Sequence, residues 1–379
     1  MIYLDNSATT PVSEDVAEVM SETAANCFGN PSSLHGLGLG AEHIVSDARK
    51  AVLNALGVSC RAAKNLIFTS GGSEADSLAI LGCMYSKQSH RGKRAVFGSS
   101  EHPAVYECAR RLEEDGFDVV FLSSKNGRID MDELCSVITP RTVFFSHMQV
   151  NNETGAVYDI KTAFAEAKKI NPDIITHTDA VQSFMKTEKP VGACGADMIS
   201  VSGHKIFAPK GIGALYVSDR VIRTKNLRPI ILGGGQENGM RSGTENVIGI
   251  AALGQAVRHS FDISGAAAAR QYLIDNLPDG ITPLIPDDPA GYILTVFVKG
   301  ARSETVLHYL SSKEIYVSSG SACSSKHKDN RVLREFGVDR SLMDSAIRIS
   351  FAGGVGKEDL DLVLSSLDEG KKRFGRAQL

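Results

Sequence analysis

The sequence predicts an α/β protein: a doubly wound, mostly parallel sheet followed by a smaller α+β unit. Between about residues 14 and 260, short β-branched or aromatic runs alternate with segments of helical periodicity, the pattern of parallel strands joined by helical crossovers. Nearly every run ends in a polar or Gly-rich loop. A Pro-, Gly- and Asp-rich stretch at 277–291 then separates this alternation from a shorter set of elements.

The predicted strands of the first part are 66–69, 95–98, 119–122, 143–146, 174–177, 198–201 and 214–217. In open parallel sheets ligands bind beyond the carboxyl ends of the strands, so the loops that follow these runs are expected to converge on one site. The second part is expected to hold a strand at 293–298, a helix N-capped by Ser303, strands at 315–318 and 346–350, and a final amphipathic helix. This divides the chain into a large domain, 15–257, and a small one built from 1–14 and 258–379.

With 379 residues, 42% hydrophobic and 22% charged, the chain has enough material for two full-sized cores without disulfides or metals. A net charge of -3 lacks the basic excess of a protein that binds nucleic acid by neutralising phosphates, so a small-molecule substrate is expected. The seven cysteines form no CxxC knuckle, which argues against a zinc site and for a reducing compartment. The start has no basic region followed by an apolar one, and no stretch approaches the roughly 20 apolar residues of a membrane span. A cytoplasmic location and no membrane contact are expected.

Three motifs carry chemistry. Ser70-Gly71-Gly72-Ser73-Glu74-Ala75 follows a strand and opens a helix, where glycine backbone and free N–H groups suit an anion, although such a start is equally an ordinary turn. Thr178-Asp179-Ala180-Val181-Gln182 places an Asp at a strand's carboxyl end, where an ionised carboxylate keeps a pyridinium protonated; the same Asp would also serve as a helix N-cap. Ser200-Val201-Ser202-Gly203-His204-Lys205 places a lysine where it could form a Schiff base with an aldehyde cofactor. Anion loop, strand-end Asp and strand-end Lys, in that order along a parallel sheet, are what a pyridoxal phosphate site requires.

Around these motifs stand Leu4-Asp5-Asn6-Ser7-Ala8-Thr9-Thr10, Asn30-Pro31-Ser32-Ser33-Leu34-His35, Glu101-His102-Pro103-Ala104-Val105 and Asn151-Asn152-Glu153-Thr154-Gly155. Pro209-Lys210-Gly211-Ile212-Gly213 and Arg241-Ser242-Gly243-Thr244-Glu245-Asn246 follow. In these runs the chain resembles, nearly from end to end, the cysteine desulfurases of the NifS/IscS type, class V of the fold-type I pyridoxal phosphate enzymes.

The resemblance implies the following roles. Lys205 would hold the cofactor as a Schiff base, with Asp179 at its ring nitrogen, Gln182 at its ring oxygen, and His102 stacked on the ring and assisting proton transfers. Phosphate contacts would come from Gly72, Ser73, Ser202 and His204, and from Thr244 of the partner subunit in a homodimer. Ser73 stands where Thr is usual and keeps the hydroxyl. Asn152, beside the cofactor, and Arg348 would hold the substrate carboxylate.

Cys323, in Ser319-Gly320-Ser321-Ala322-Cys323-Ser324-Ser325, matches the persulfide-forming cysteine of the family, and the nearby Lys326, His327 and Lys328 favour a thiolate. The implied reaction converts L-cysteine to L-alanine and leaves sulfur on Cys323. The sulfur then passes to an acceptor protein such as an iron–sulfur scaffold or a tRNA thiolation enzyme. A selenocysteine lyase, or another class V enzyme, would keep Lys205 and Asp179 and is the alternative. Neither a metal nor direct nucleic-acid contact is implied.

Overall fold

The computed structural model describes residues 1–58, 60–319 and 330–375. Seven strands form the main sheet: β2 (Leu66–Thr69), β3 (Arg94–Gly98), β4 (Asp118–Leu122), β5 (Thr142–Ser146), β6 (Ile175–Asp179), β7 (Met198–Ser202) and β8 (Gly213–Val217). They lie in the order β2-β8-β7-β6-β5-β3-β4. A preceding short strand, β1 (Ile2–Tyr3), lies elsewhere. The main sheet is covered on both faces, and alternate residues choose the face. Ile67, Phe97, Phe144, Met198 and Leu215 pack with helices Gly72–Met84 and Pro103–Glu114. Phe68, Val96, Phe145, Ile199 and Ala214 pack with helices Gly36–Leu56, Ile160–Ile170 and Val247–Ala256. Each fully buried Leu or Phe contributes roughly 1.5–3 kcal/mol, so this two-sided burial outweighs any single ion pair.

The mostly parallel arrangement agrees with the sequence, with one departure. β8 runs antiparallel to both β7 and β2. The connection from Ser202 to Gly213 is too short for the helical crossover that a parallel partner needs, so the chain turns back beside β7. The segment after β6 also lacks a crossover helix. It forms tight turns through 180–187, which removes the helix-cap reading of Asp179.

A second sheet follows, made of β9 (Ile281–Leu284), β10 (Ile293–Val298), β12 (Ser318–Ser319) and β13 (Ala346–Ser350), antiparallel throughout in the order β12-β13-β10-β9. The single strand expected at 315–318 is split: β11 (Ile315–Tyr316) pairs with β1, and β12 pairs with β13. Ser303 is the first residue of helix Ser303–Ser312 and not its cap. Its amide is taken by the Asp344 carbonyl at 2.7 Å, and Arg302 occupies the cap position. Helices Ile263–Asp275, Ser303–Ser312 and Lys357–Phe374 complete this second core with Leu294, Val296, Ile347 and Ile349. No helix among the described residues is long and apolar enough to cross a membrane.

The chain's first ten residues join the two sheets. Leu4 bonds Tyr316 and Ser350 through its backbone, and Thr10 N–H donates to the His204 carbonyl at 2.8 Å. Asn6 Nδ2 donates to the Ser350 carbonyl at 2.9 Å. This strip thus runs from the second sheet to the carboxyl end of β7.

At the opposite, amino end of the main sheet, Asp197 ties β6 to β7. Its carboxylate accepts from Thr176 N–H at 3.1 Å and Arg220 Nη2 at 2.6 Å. Although burial opposes ionisation, these bonds and the charges of Lys168 and Arg220 hold its carboxyl below the usual range. A depressed folded-state value means stability that is present above the unfolded pKa, near 4, and lost as pH falls through the folded one. Asp197→Asn is therefore expected to cost about 3 kcal/mol at pH 7 by denaturant unfolding. The gap between variant and wild type should close as the pH is taken below about 4.

Candidate active site

A cavity of about 430 Å³ opens at the carboxyl ends of β5, β6 and β7. Its walls include Gly72, Ser73, His102, Asn152, Asp179, Gln182, Ser202, His204, Lys205 and Arg348. All but Arg348 follow or end a strand of the main sheet. Asp179 and Ser202 are the last residues of β6 and β7; His102 caps helix Pro103–Glu114; Arg348 lies on β13. The sequence thus places ten of its expected residues in one pocket.

Lys205 Nζ donates to the carbonyls of Ser7 and Ala8, each at 2.6 Å, so the N-terminal strip forms the wall that holds the amine. Gln182 is turned the same way. Its Nε2 donates to the Ser7 carbonyl at 2.8 Å and its Oε1 has no partner among the described residues, so the expected bond to a ring oxygen would use the second Nε2–H or a turned-over amide. Arg348 is likewise engaged within the chain. Nη1 donates to the Asn152 carbonyl at 2.9 Å and Nη2 to Asp5 at 3.0 Å, and the buried Nε has no partner among the described residues.

The cavity floor is acidic and buried. Asp179 accepts from Val181 N–H at 2.8 Å, yet burial pushes its carboxyl upward, against the pull of His102 and Lys205. Beside it, Asp76 and Glu101 are also held above the usual carboxylate range, first by burial and then by the negative charge of Asp179. Asp76 Oδ1 is unpartnered among the described residues. His177 below them bonds the hydroxyls of Ser146 and Ser200, both at 2.9 Å, and burial holds it neutral, down to about 3. A buried carboxylate at a strand end, with no cation bonded to it among the described residues, suits a protonated ring nitrogen.

His102 Nδ1 accepts from Ala104 N–H at 3.1 Å, which leaves Nε2 as the protonated nitrogen of a neutral ring. Burial lowers its basicity, and the charges of Lys205 and Arg331 add to this against Asp179. His204 is pushed down to about 4, first by burial and then by Lys205 and Lys210.

An anion cradle lies beside the cavity, lined by Ser70, Gly71, Gly72, Ser73, Ser202, His204 and Lys210. Helix Gly72–Met84 begins here with Gly71 and no side-chain cap, whereas helix Ile160–Ile170 is closed by Asp159. Its first N–H groups are thus available to a phosphate. Space confirms the use of glycine: a Cβ on Gly72 would stand 2.6 Å from Val181 Cγ2. The donor set, the uncapped helix and the buried carboxylate fit pyridoxal phosphate.

Thr244 is not in the cavity with Lys205. It lines a neighbouring pocket with Ser70 and Gly211, and another with Phe28. Cys323 lies outside the described residues. Sequence reasoning missed Asp76, Glu101, Lys210 and Arg331. It also missed Lys186, a buried amine over the rings of Tyr292 and Phe261, lowered to about 7 by burial and by Lys205 and Arg348. Lys210 and Glu101 sit inside motifs already noted; nothing in the sequence pointed to Arg331.

Comparison with known proteins gives one answer. A family described as Aminotransferase class-V matches residues 2–363. A protein of Photobacterium profundum named "Cysteine desulfurase IscS" is 40% identical over 97% of this chain and 91% of its own length. A solved structure named "NIFS-LIKE PROTEIN" superposes with a TM-score of 0.88, at 30% identity, over 98% of each chain. Another, "SspA in complex with cysteine", gives 0.81 at 32% identity over 94% of this chain and all of that one (100%).

Two glycine substitutions test the cradle. Gly72→Ala is expected to weaken pyridoxal phosphate binding about tenfold or more, as overpacking costs of roughly 1–3 kcal/mol imply, in a titration of the cofactor-free protein. Gly40→Ala, whose Cβ would meet nothing within 4 Å, should leave that affinity unchanged and stabilise its helix by up to about 1 kcal/mol.

Proposed function

The chain belongs to the aminotransferase class-V family, and from that membership and its cavity we propose that it is a pyridoxal-phosphate-dependent cysteine desulfurase, converting L-cysteine to L-alanine. The observation that carries this reading is the single cavity that gathers Lys205, Asp179, His102 and Arg348 beside an uncapped helix start. Bound there, pyridoxal phosphate supplies an aldehyde that captures amines and a ring that withdraws electrons from the bonds around the captured nitrogen.

The residues divide the work. Lys205 holds the cofactor, Asp179 faces its ring nitrogen, and Gly72, Ser73, Ser202 and His204 bind its phosphate. Asn152 and Arg348 orient the substrate carboxylate; the Arg348 Nε–H, without a partner among the described residues, supports that role. Lys205 Nζ and His102 Nε2 move the proton at the substrate's Cα. The Cys323 thiolate forms a new S–S bond as the substrate's Cβ–S bond breaks. The bonding pair stays with carbon, which takes a proton and becomes the methyl group of alanine. The persulfide sulfur then passes to an acceptor protein, an iron–sulfur scaffold or a tRNA thiolation enzyme.

The chain works as a homodimer, with Thr244 completing the phosphate site of the other subunit. Two features support this: Thr244 lies outside its own chain's cavity, and Phe28, Leu34 and Leu232 are 72%, 93% and 79% exposed. Large apolar side chains so exposed mark a surface meant to be covered. We assign 15–257 to the cofactor-binding domain, and 1–14 with 258–379 to the domain that carries Cys323. The free thiols of Cys27, Cys83, Cys108, Cys135 and Cys194 support a reducing, cytoplasmic setting.

Mass spectrometry after incubation with L-cysteine should find one extra sulfur on the peptide carrying Cys323. Cys323→Ser should keep the cofactor, lose that sulfur, and lower alanine formation roughly a hundredfold or more. Lys205→Ala should leave no cofactor fixed by borohydride at this position. Full alanine formation by Cys323→Ser would overturn the persulfide step. Turnover of selenocysteine without turnover of cysteine by the wild-type protein would move the reading to a selenocysteine lyase.

A further inference from the structure

Arg331 lines the cavity beside His102, yet its guanidinium is already committed. Nη1 donates to the Ser99 carbonyl and Nη2 to the Glu101 carbonyl. The group also lies over the Tyr106 ring, with Cζ 4.0 Å from the centroid. A guanidinium engaged on two edges and one face is poorly disposed to grip a substrate carboxylate.

What these bonds hold is the turn between β3 and helix Pro103–Glu114. Residues 99–101 have left the sheet and not yet entered the helix, so their carbonyls need partners from elsewhere. Arg331 supplies donors for the first and third, and Asn151 Nδ2 supplies one for Ser100 at 3.0 Å. The Glu101 side chain is pinned by Met148 N–H at 2.9 Å. The next residue is His102, whose Nδ1 is tied to the helix it caps. The placement of its Nε2 is therefore inherited from the turn.

Arg331 also stands at a junction. It opens helix Arg331–Phe336 and follows Cys323 by eight positions. That helix start is fixed by Asn330, whose Oδ1 accepts from Leu333 N–H at 2.9 Å and whose Nδ2 donates to Glu153 at 2.6 Å.

We propose that Arg331 is a positioning residue for His102: it holds the 99–102 turn by its carbonyls and anchors that turn to the helix that ends the Cys323-bearing segment. The imidazole that moves the proton and the chain that accepts the sulfur then share one fixed point. The consequence for turnover rests on the desulfurase reading; the anchor itself does not.

Two variants separate the tether from the charge. Arg331→Lys keeps the charge and loses the planar fork, and Arg331→Met loses both. In the cofactor-free protein, hydrogen exchange across 99–106 should rise in both variants. In the loaded enzyme, alanine formation should fall about ten- to a hundredfold in both, the scale of misplaced catalytic groups. The loss should lie in kcat, with KM for L-cysteine within about twofold.

Among the described residues, the charged and titratable groups facing His102 are Asp179, Lys205, Arg331 and His204, the last pushed down to about 4. Removing the Arg331 charge lets the imidazole keep its proton to higher pH. The acid limb of the pH profile should therefore move upward in Arg331→Met and stay in place in Arg331→Lys. Unchanged exchange across 99–106 in Arg331→Lys would overturn the anchor. A tenfold rise in KM with kcat intact would overturn it in favour of direct substrate binding. If the wild-type protein makes no alanine, the desulfurase reading fails, and the exchange measurement still decides the role of Arg331.

Discussion

Negative charge confined among buried side chains is the condition to which the rest of the site responds. Asp76, Glu101 and Asp179 face one another beneath the same opening, and burial raises all three. At an effective dielectric of about 20, two like charges 4 Å apart repel by about 4 kcal/mol, a large part of a domain's net stability of roughly 5–15 kcal/mol. The cavity cannot keep all three ionised without cations. Asp179 has the best claim to its charge, because it accepts a backbone N–H and faces His102 and Lys205. Asp76 has the weakest, since its imidazole neighbour is neutral. The floor thus presents its anion at the end of β6, where a cationic ring nitrogen would complete the balance.

The cation that answers Asp179 is held by the N-terminal strip. The carbonyls of Ser7 and Ala8 fix Lys205, and the same Ser7 carbonyl takes the Gln182 amide. The strip is in turn sewn to the second sheet through Leu4, Asn6 and Asp5, whose carboxylate bonds Arg348. One ten-residue segment thereby sets the distance between the amine on the main sheet and the guanidinium on the second. A cleft built in this way places a small zwitterion between two groups that do not share a sheet. It also explains why Leu4 to Thr10 carries a recognisable run, although no side chain in it was expected to touch the substrate.

The sheet was legible because its signal is local. Alternating burial leaves Phe144 and Phe145 on opposite faces, and strand ends such as Asp179 and Ser202 could be read from the polar residue that closes each run. What the sequence hid depends on chain reversal and on approach from a distance. The reversal at β8 follows from the length of one connection, and hydrophobic pattern is blind to strand direction. Arg331 looked like any surface arginine, because its partners Ser99 and Glu101 are over two hundred positions away. The commitments of Gln182 and Arg348 were hidden for the same reason: a residue's role could be carried over, but not the carbonyls that occupy it before a ligand arrives.

Asp179 and Asp197 show how position along one pair of strands decides what a carboxylate does. Both belong to the β6 and β7 region and both are buried, at 5% exposure each. Asp197 lies at the amino end, where Arg220, Lys168 and Thr176 reach it, and its carboxyl is held low. Asp179 lies at the carboxyl end, where the loops diverge and leave space, and its carboxyl is pushed up. The same side chain is a completed structural tie at one edge of the sheet and an unsatisfied charge at the other. Paired strands lose their neighbours where they separate, so the carboxyl edge is where polar groups are left wanting a ligand. A site placed there draws its binding energy from interactions the fold itself leaves incomplete.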